Sequence, residues 1–443
     1  MEITLTDIHA GGRAVSPEKI YVSQAIPGET VEVVKERQSG WRLGRLVRVI
    51  NPSSDRVTPF CPHAAECGGC PWQHMAYSAQ LHWKARILEQ ALAKYDIHVP
   101  SIPPVLPSPL LQGYRNKTEY TFEAEGQKMG YHLDGDRQRV FDCTQCALMA
   151  PQIHPLALAI KEKALEQGIP FYRYANRSGL LRNLLVRTTT TGQIGVTLGF
   201  TRNDTSLILP FIDVLQSTFP SVTSWFYSVW EGLPDQTYYD PTYYHVAGAA
   251  YLEETACPSG LRFLVSPSAF YQPNPLQSVA LYNQIVTWAQ APSFVIDLYT
   301  GIGTILSALA SAYPDPHSTF LGIEGNAHAI DDARLNATRN QLPLLFQVGD
   351  ILRTFTLDFV ASHPQPDLIV LDPPRSGTLT EIKKAILAAR PRQLIYVSCN
   401  PVSLAWDLKQ LCAGGYQVAA LQPFDMFPHT QHVETVVSLF KSC

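Results

Sequence analysis

No stretch of about eighteen consecutive apolar residues occurs in the chain, so a membrane-spanning helix is not expected. The opening MEITLTDIHAGGRAVSPEKI lacks the basic-then-apolar pattern of a secretory leader, and a cytoplasmic protein is expected. Positive charge is scarce as well. With 34 Lys and Arg against 38 Asp and Glu, the formal net charge is −4, so the surface as a whole does not attract a polyanion and any nucleic-acid site must be a local patch. No internal repeat or low-complexity tract appears. What the chain has is 443 residues, 46% of them hydrophobic and 16% charged, enough for several domains with ordinary cores. Its nine cysteines do not suit a disulfide framework in a reducing compartment, and metal binding or catalysis is the better use for those that fall close together.

Residues 1–55 read as short strands separated by Gly11-Gly12, Pro27-Gly28 and Ser39-Gly40, the pattern of a small β-barrel. Its later strands carry Arg37, Arg42, Arg45 and Arg48 beside Trp41, a surface suited to a nucleic-acid backbone; a solvated charged face is the plain alternative. Residues 56–270 hold a cysteine segment, the helical stretch YSAQLHWKARILEQALAKYDI and an α+β region rich in Pro and Tyr. Residues 271–443 repeat strand then helix: FVIDLYTG and ILSALASAY, FLGIEG and AHAIDDARLNATRN, LIVLDPP and TEIKKAILAA, LIYVSCNP and SLAWDLKQLCA. That alternation predicts a doubly wound parallel α/β sheet of the Rossmann kind.

The first of these strands ends in Asp297-Leu-Tyr-Thr-Gly301-Ile-Gly303-Thr304, where two glycines let the backbone approach a ligand closely. The second ends in Glu324, placed to accept from a ribose diol, and the third near Asp350, placed to meet an adenine amino group. A nucleoside ligand without a required pyrophosphate fits the series, and S-adenosyl-L-methionine is the natural candidate. Helix capping explains either acid singly. The fourth strand ends in Asp372-Pro-Pro-Arg375, where two prolines hold the carboxylate rigidly at the sheet edge. An aromatic residue at the position of Arg375 would suit an amino-group methyltransferase better.

Pro401 stops the strand LIYVSCNP, so the thiol of Cys399 lands on the loop at the same edge. A thiolate there can add to an electron-poor ring carbon. Uracil C5 is too weak a nucleophile to take a methyl group directly, but addition at C6 turns C5 into an enolate carbon. A base must afterwards remove the C5 proton so that the thiolate can leave, and Glu434 in HVETVVSLF is the candidate. A packing thiol and an ordinary surface acid are the plain alternatives for these two residues. Cys61, Cys67 and Cys70 fall within ten residues around a Gly-Gly turn, and either Cys143 or Cys146 would complete a four-thiolate set for zinc or an iron–sulfur cluster. The spacing is not that of a radical S-adenosylmethionine cluster.

FCPHAAECGGCPWQH, SAFYQPN, DLYTGIG, LDPPRSG, YVSCNP and DMFPHTQHVET, in this order, resemble the RNA uracil-5-methyltransferases, in particular the iron–sulfur branch acting on 23S ribosomal RNA. The likeness spans nearly the whole chain. It implies a class I methyltransferase domain, an N-terminal TRAM barrel, and a [4Fe-4S] cluster on Cys61, Cys67, Cys70 and Cys146. By the same resemblance Gln272, Tyr299, Glu324, Asp350 and Asp372 contact the cofactor, Cys399 is the nucleophile and Glu434 the base. Thr304 stands where that branch often has Asn, and Asp350 where an Asn can occur. The expected function is S-adenosylmethionine-dependent methylation of a uridine C5 in 23S rRNA, with tRNA as alternative substrate and no obligate protein partner or membrane. A non-catalytic RNA-binding protein would need neither Cys399 nor Glu434.

Overall fold

The computed structural model describes residues 1–38, 40–133, 136–230 and 241–442. Of the residues singled out above, Ser39 and the Arg37 side chain lie outside the described set. The chain forms two compact units, one made of Met1–Phe60, Cys70–Pro109 and Leu276–Cys443, the other of Cys61–Gly69 and Leu110–Pro275.

In the first unit the N-terminal residues make a curled six-stranded sheet, in the order Glu2–Thr4, Thr30–Gln38, Trp41–Asn51, Tyr21–Val22, Ala14–Val15, Asp7–Ile8. Register shifts between Thr30 and Val31 and between Glu32 and Val33 bend the long hairpin, and such bulges increase twist until a sheet wraps on itself. The enclosed core is Ile3, Leu5, Ala14, Ile20, Val22, Val31 and Val33. Gly44 lies against it, where a Cβ would come within 3.1 Å of Ile20 and Val22. The expected small barrel is therefore present, but its basic face is not uniformly basic. Arg45 pairs with Glu36 at 2.9 Å, Arg48 pairs with Glu32 at 2.7 Å, and Arg42 donates to the Glu18 carbonyl at 3.4 Å.

The large sheet of this unit has seven strands, numbered here in chain order: β1 Phe294–Leu298, β2 Thr319–Glu324, β3 Leu344–Val348, β4 Leu368–Leu371, β5 Gln393–Ser398, β6 Tyr416–Phe424 and β7 Glu434–Lys441. They lie in the order β3-β2-β1-β4-β5-β7-β6, parallel from β3 through β5, with β7 antiparallel to both neighbours. Strands β4 and β5 are buried throughout, as the central strands of a sheet covered on both faces must be. One face packs on helices Tyr77–Lys94, Thr380–Ala389 and Pro401–Ala413 through Leu88, Leu92, Ile382, Ile386, Leu404 and Leu408. The other packs on Pro275–Trp288 and Thr304–Ala312 through Leu281, Ile285, Leu306 and Leu309.

The second unit is an α+β domain. Its six-stranded sheet runs Thr242–Gly248, Ser224–Val229, Ile194–Phe200, Leu181–Thr188, Lys117–Glu123, Lys128–Gly130. Helices Ile153–Glu166 and Thr205–Thr218 cover it with Ile153, Ala157, Ile160, Phe211, Ile212 and Leu215. Among the described residues no helix is long and apolar enough to cross a membrane.

Candidate active site

A parallel strand delivers the residue after it to the carboxyl edge of the sheet, whereas an antiparallel neighbour delivers its first residue there. Cys399 follows β5, and Glu434 opens β7. Because Thr435 stands opposite Ser398 in the ladder, the thiol and the carboxyl come to the same edge, side by side. Asp372 follows β4, the next strand along. The structure thus gathers Cys399, Glu434 and Asp372 as the sequence predicts, and Glu434 is no surface acid, being only 3% exposed.

Their charges act on one another. Burial pushes the Cys399 thiol up to about 12, the carboxyls of Glu434 and Asp372 push the same way, and the Arg375 guanidinium opposes them. Glu434 is held well above the ordinary carboxyl range by burial and then by Asp372, again against Arg375. Asp372 keeps some exposed surface, yet burial of its carboxyl raises it to about 7. Burial and the two carboxyls thus favour the protonated thiol, and Arg375 is the cation that favours its ionisation. Arg375 donates to Nδ1 of His432 at 3.2 Å, while its carbonyl accepts from Asn400 Nδ2 at 2.9 Å and Ser403 Oγ at 3.0 Å. Burial and Arg375 bring His432 down to about 4, so the ring is neutral, and because a guanidinium can only donate, this bond assigns the remaining proton to Nε2.

Beside these groups lies the loop after β1. Tyr299, Gly301 and Gly303 all have positive φ, at 66°, 55° and 80°, and this backbone turns the Gly301 amide onto Glu324 Oε2 at 3.2 Å. The other oxygen of Glu324 accepts from the Asn326 amide at 2.9 Å. No atom lies within 4 Å of where a Gly301 Cβ would stand, so the loop faces open space that a ligand can fill. Asp297 beneath it accepts from Thr300 Oγ1 at 2.6 Å, its second oxygen is buried without a partner, and burial lifts it to about 7. Thr304 opens helix Thr304–Ala312 directly after Gly303. Asp350 caps the short helix Ile351–Thr354 by accepting from the Leu352 amide at 2.8 Å, so the capping role weighed for this acid is one it performs, with the second oxygen left over. Gln272 belongs to the other unit, where it is buried and its carbonyl accepts from Asn116 Nδ2 at 2.9 Å.

Two buried ionic mounts carry this edge, and sequence reasoning singled out neither. Asp425 and Lys84 form an ion pair with both side chains at 0% exposure. Lys84 Nζ also donates to the Phe427 carbonyl at 3.0 Å, and Tyr77 Oη donates to Asp425 at 2.8 Å. Gln80 of the same helix face accepts from the His429 amide at 2.8 Å. Residues 77, 80 and 84 thus grip the segment that leads into His432 and Glu434. The second mount is Asp407, which pairs with Lys383 and accepts from Tyr396 Oη at 2.6 Å and the Thr378 amide at 2.7 Å, fixing the loop that carries Arg375. Tyr299, pushed up to about 12 chiefly by burial, bonds to the same Thr378. The available signal was a charge in a largely apolar stripe: Lys84 before Ile87, Leu88 and Ala91, and Asp407 between Leu404 and Leu411.

Cys61, Cys67, Cys143 and Cys146 all lie in the second unit, and Cys70 in the first. His63 Nε2 accepts from the Thr144 amide at 3.0 Å, which ties the two cysteine segments of that unit together. Burial raises the Cys143 thiol, with Cys146, Cys67 and Cys61 adding to it; burial and Cys146 raise Cys61. The thiol chemistry suits a metal cluster. Among the described residues no three Cys, His, Asp or Glu converge as a metal-ligating group. Within the second unit Cys143 takes part in the thiol neighbourhood alongside Cys146.

Comparison with known proteins adds three findings. Residues 353–442, which include Asp372, Cys399 and Glu434, match the family model described as tRNA (Uracil-5-)-methyltransferase. An uncharacterized RNA methyltransferase of Porphyromonas gingivalis is 36% identical, with 99% of each chain covered, and one of Bacteroides thetaiotaomicron is 34% identical over 97% of this chain and 99% of its own. The crystal structure of Pyrococcus abyssi tRNA (uracil-54, C5)-methyltransferase in complex with S-adenosyl-L-homocysteine superposes with a TM-score of 0.80 at 25% identity, covering 99% of this chain and 100% of that one.

Proposed function

This chain belongs to the RNA methyltransferase family, and from that premise we propose that it transfers a methyl group to C5 of a uridine in RNA through a covalent bond from Cys399 to C6. The observation that carries the reading is the placement of Cys399 and Glu434 side by side on the edge that also presents the Gly301 loop. RNA binding alone requires neither group.

Gly301, Gly303, Thr304, Tyr299, Glu324, Asp350 and Asp372 are the residues of this unit that would hold S-adenosyl-L-methionine, and the open space over Gly301 is consistent with that use. Bound there, the cofactor supplies an electrophilic methyl group. Cys399 first gives its proton to solvent, an ionisation that Arg375 favours, and its sulfur then adds to C6 as the C5–C6 π electrons become the enolate. Once C5 carries the methyl group, Glu434 accepts the C5 proton and the C6–S bond breaks, which restores the ring double bond and frees the thiolate. A neutral Glu434 cannot do this, so its carboxyl must ionise within the substrate complex. Gln272 is a cofactor contact by the motif resemblance alone; its test is the S-adenosylhomocysteine affinity of Gln272→Ala.

The finer reading is 23S rRNA as substrate, carried by the motif order. A tRNA substrate is the second reading, favoured by the description of the matching family model and by the Pyrococcus relative. Mapping 5-methyluridine in both RNAs from a strain lacking the gene separates them. A [4Fe-4S] cluster on Cys61, Cys67, Cys70 and Cys146 rests on donor chemistry and resemblance, and no step above runs through it. The adduct is tested on a denaturing gel. Wild type with 5-fluorouridine RNA should give a covalent band, Glu434→Gln should accumulate one with ordinary RNA, and Cys399→Ala should give none with either. An adduct that persists in Cys399→Ala would refute the mechanism.

A further inference from the structure

Outside the active edge, the first unit carries a row of aromatic rings interleaved with cations. It begins on the barrel, where His9 lies edge-on to Tyr21 at 5.3 Å and to Trp41 at 5.2 Å, and those two rings meet at 4.9 Å. Trp41 is 44% exposed although it sits in a regular strand. The barrel is fixed to helix Tyr77–Lys94 beside this cluster, because Gln90 Nε2 donates to both oxygens of Asp7 at 2.8 Å. At the end of that helix Lys94 Nζ lies 5.4 Å from the centre of the Tyr95 ring. Tyr95 in turn meets Trp406 at 5.5 Å, and Lys409 Nζ stands 5.6 Å and 5.9 Å from the two rings. Trp406 is 46% exposed on helix Pro401–Ala413.

We propose that this row, from Trp41 across Tyr95 to Trp406, is a stacking track for a single-stranded segment of the RNA that flanks the methylated base. Three features favour RNA over another occupant. Trp41 and Trp406 are exposed and Tyr21 and Tyr95 half-buried, each beside another ring, and accessible rings of this kind stack bases regardless of sequence. Lys94 and Lys409 are exposed along the row, and Arg13 beside His9 is partly so, in a chain whose overall charge is negative. The acids beside them are Asp7, already bonded to Gln90, and Asp96. Finally, Trp406 is about one and a half turns into the helix that follows Cys399, about 8 Å along its axis, so RNA on the track lies within a few nucleotides of a uridine at the thiol. The inference rests on the RNA-methyltransferase reading and extends the nucleic-acid surface beyond the barrel.

The test uses full-length protein and a fluorescein-labelled oligouridylate of about twelve nucleotides, followed by anisotropy. Tyr95→Ala and Trp406→Ala should each weaken binding roughly five- to hundredfold. Lys94→Ala and Lys409→Ala should each reduce the log–log salt slope by about 0.7. S-adenosylhomocysteine affinity should not change in any of the four, which shows that the unit is folded. Unchanged oligouridylate affinity in both ring variants overturns the proposal, as does a wild-type protein that does not bind the probe. Sedimentation showing that Trp406→Ala converts a dimer to a monomer also overturns it, because the ring then serves self-association. Methyl transfer to bulk RNA by wild type tests the underlying reading separately, so the track can fail while the enzyme stands.

Discussion

Replacing Lys84 with methionine removes a buried ammonium and leaves the Asp425 carboxylate without its cation at a position with no solvent contact. Breaking one side of such a pair costs about 3–5 kcal/mol, because the remaining charge is desolvated and uncompensated. Tyr77 Oη and the Phe427 amide still donate to Asp425, at 2.8 and 3.2 Å, which places the expected loss at the lower end, about 3 kcal/mol. Urea unfolding followed by tryptophan fluorescence measures it as a lowered midpoint with unchanged slope. The double variant Lys84→Met/Asp425→Leu separates stability from positioning. Two apolar side chains of similar volume should recover most of the stability, since a buried ion pair is often matched by a hydrophobic pair. They should not recover turnover, because the bond from Lys84 to the Phe427 carbonyl and that from Tyr77 to Asp425 are gone and the segment bearing Glu434 has lost its anchor. The double variant should still form the adduct with 5-fluorouridine RNA but release ordinary product slowly. A loss below about 1 kcal/mol in Lys84→Met, or full turnover in the double variant, would refute the idea of a buried mount.

The alkylation rate of Cys399 by iodoacetamide should rise with pH along the thiol's ionisation. Glu434→Gln deletes a group that raises the thiol and should shift that profile to lower pH, whereas Arg375→Gln deletes the opposing cation and should shift it upward. Opposite shifts, or none, would remove the electrostatic account. On the barrel, Arg45→Ala should weaken RNA binding and lower the log–log salt slope by about 0.7–0.9, while Glu36→Ala should tighten binding by releasing Arg45; equal binding in both would leave the pair as surface charge. Iron and sulfide analysis of anaerobically purified Cys61→Ser, Cys67→Ser, Cys70→Ser and Cys146→Ser should show loss in each, with Cys143→Ser retaining its content. Loss in Cys143→Ser with full iron in Cys146→Ser would exchange their roles.

The doubly wound sheet was legible because its strand-and-helix alternation is local, and each strand-end residue is fixed by where an apolar run stops. Cys399, Asp372, Glu324 and Gly301 were found that way. The partners that hold them were not, because Lys84 and Asp425 are 341 residues apart and nothing in either neighbourhood names the other. The burial of Glu434 was equally hidden, since it follows from the antiparallel insertion of β7 between β5 and β6, a choice of topology rather than of composition. The barrel shows the opposite failure. Arginine spacing alone suggested a basic surface, and the cross-strand glutamates that offset Arg45 and Arg48 depend on hairpin register.

The Lys84–Asp425 bridge also sets an order of events during synthesis. Helix Tyr77–Lys94 leaves the ribosome early and its partner segment almost last; at about 5–20 residues per second, 341 residues take roughly 17–70 s. Throughout that interval the helix face carrying Lys84 cannot dock in its final place without burying an unmatched cation, so early docking is disfavoured by the same desolvation that locks the finished pair. A chain that terminates before Asp425 therefore lacks more than the proposed base Glu434. It keeps an ammonium where only an ion pair is tolerated, exposes the face meant to be covered, and presents itself to proteolysis as unfinished.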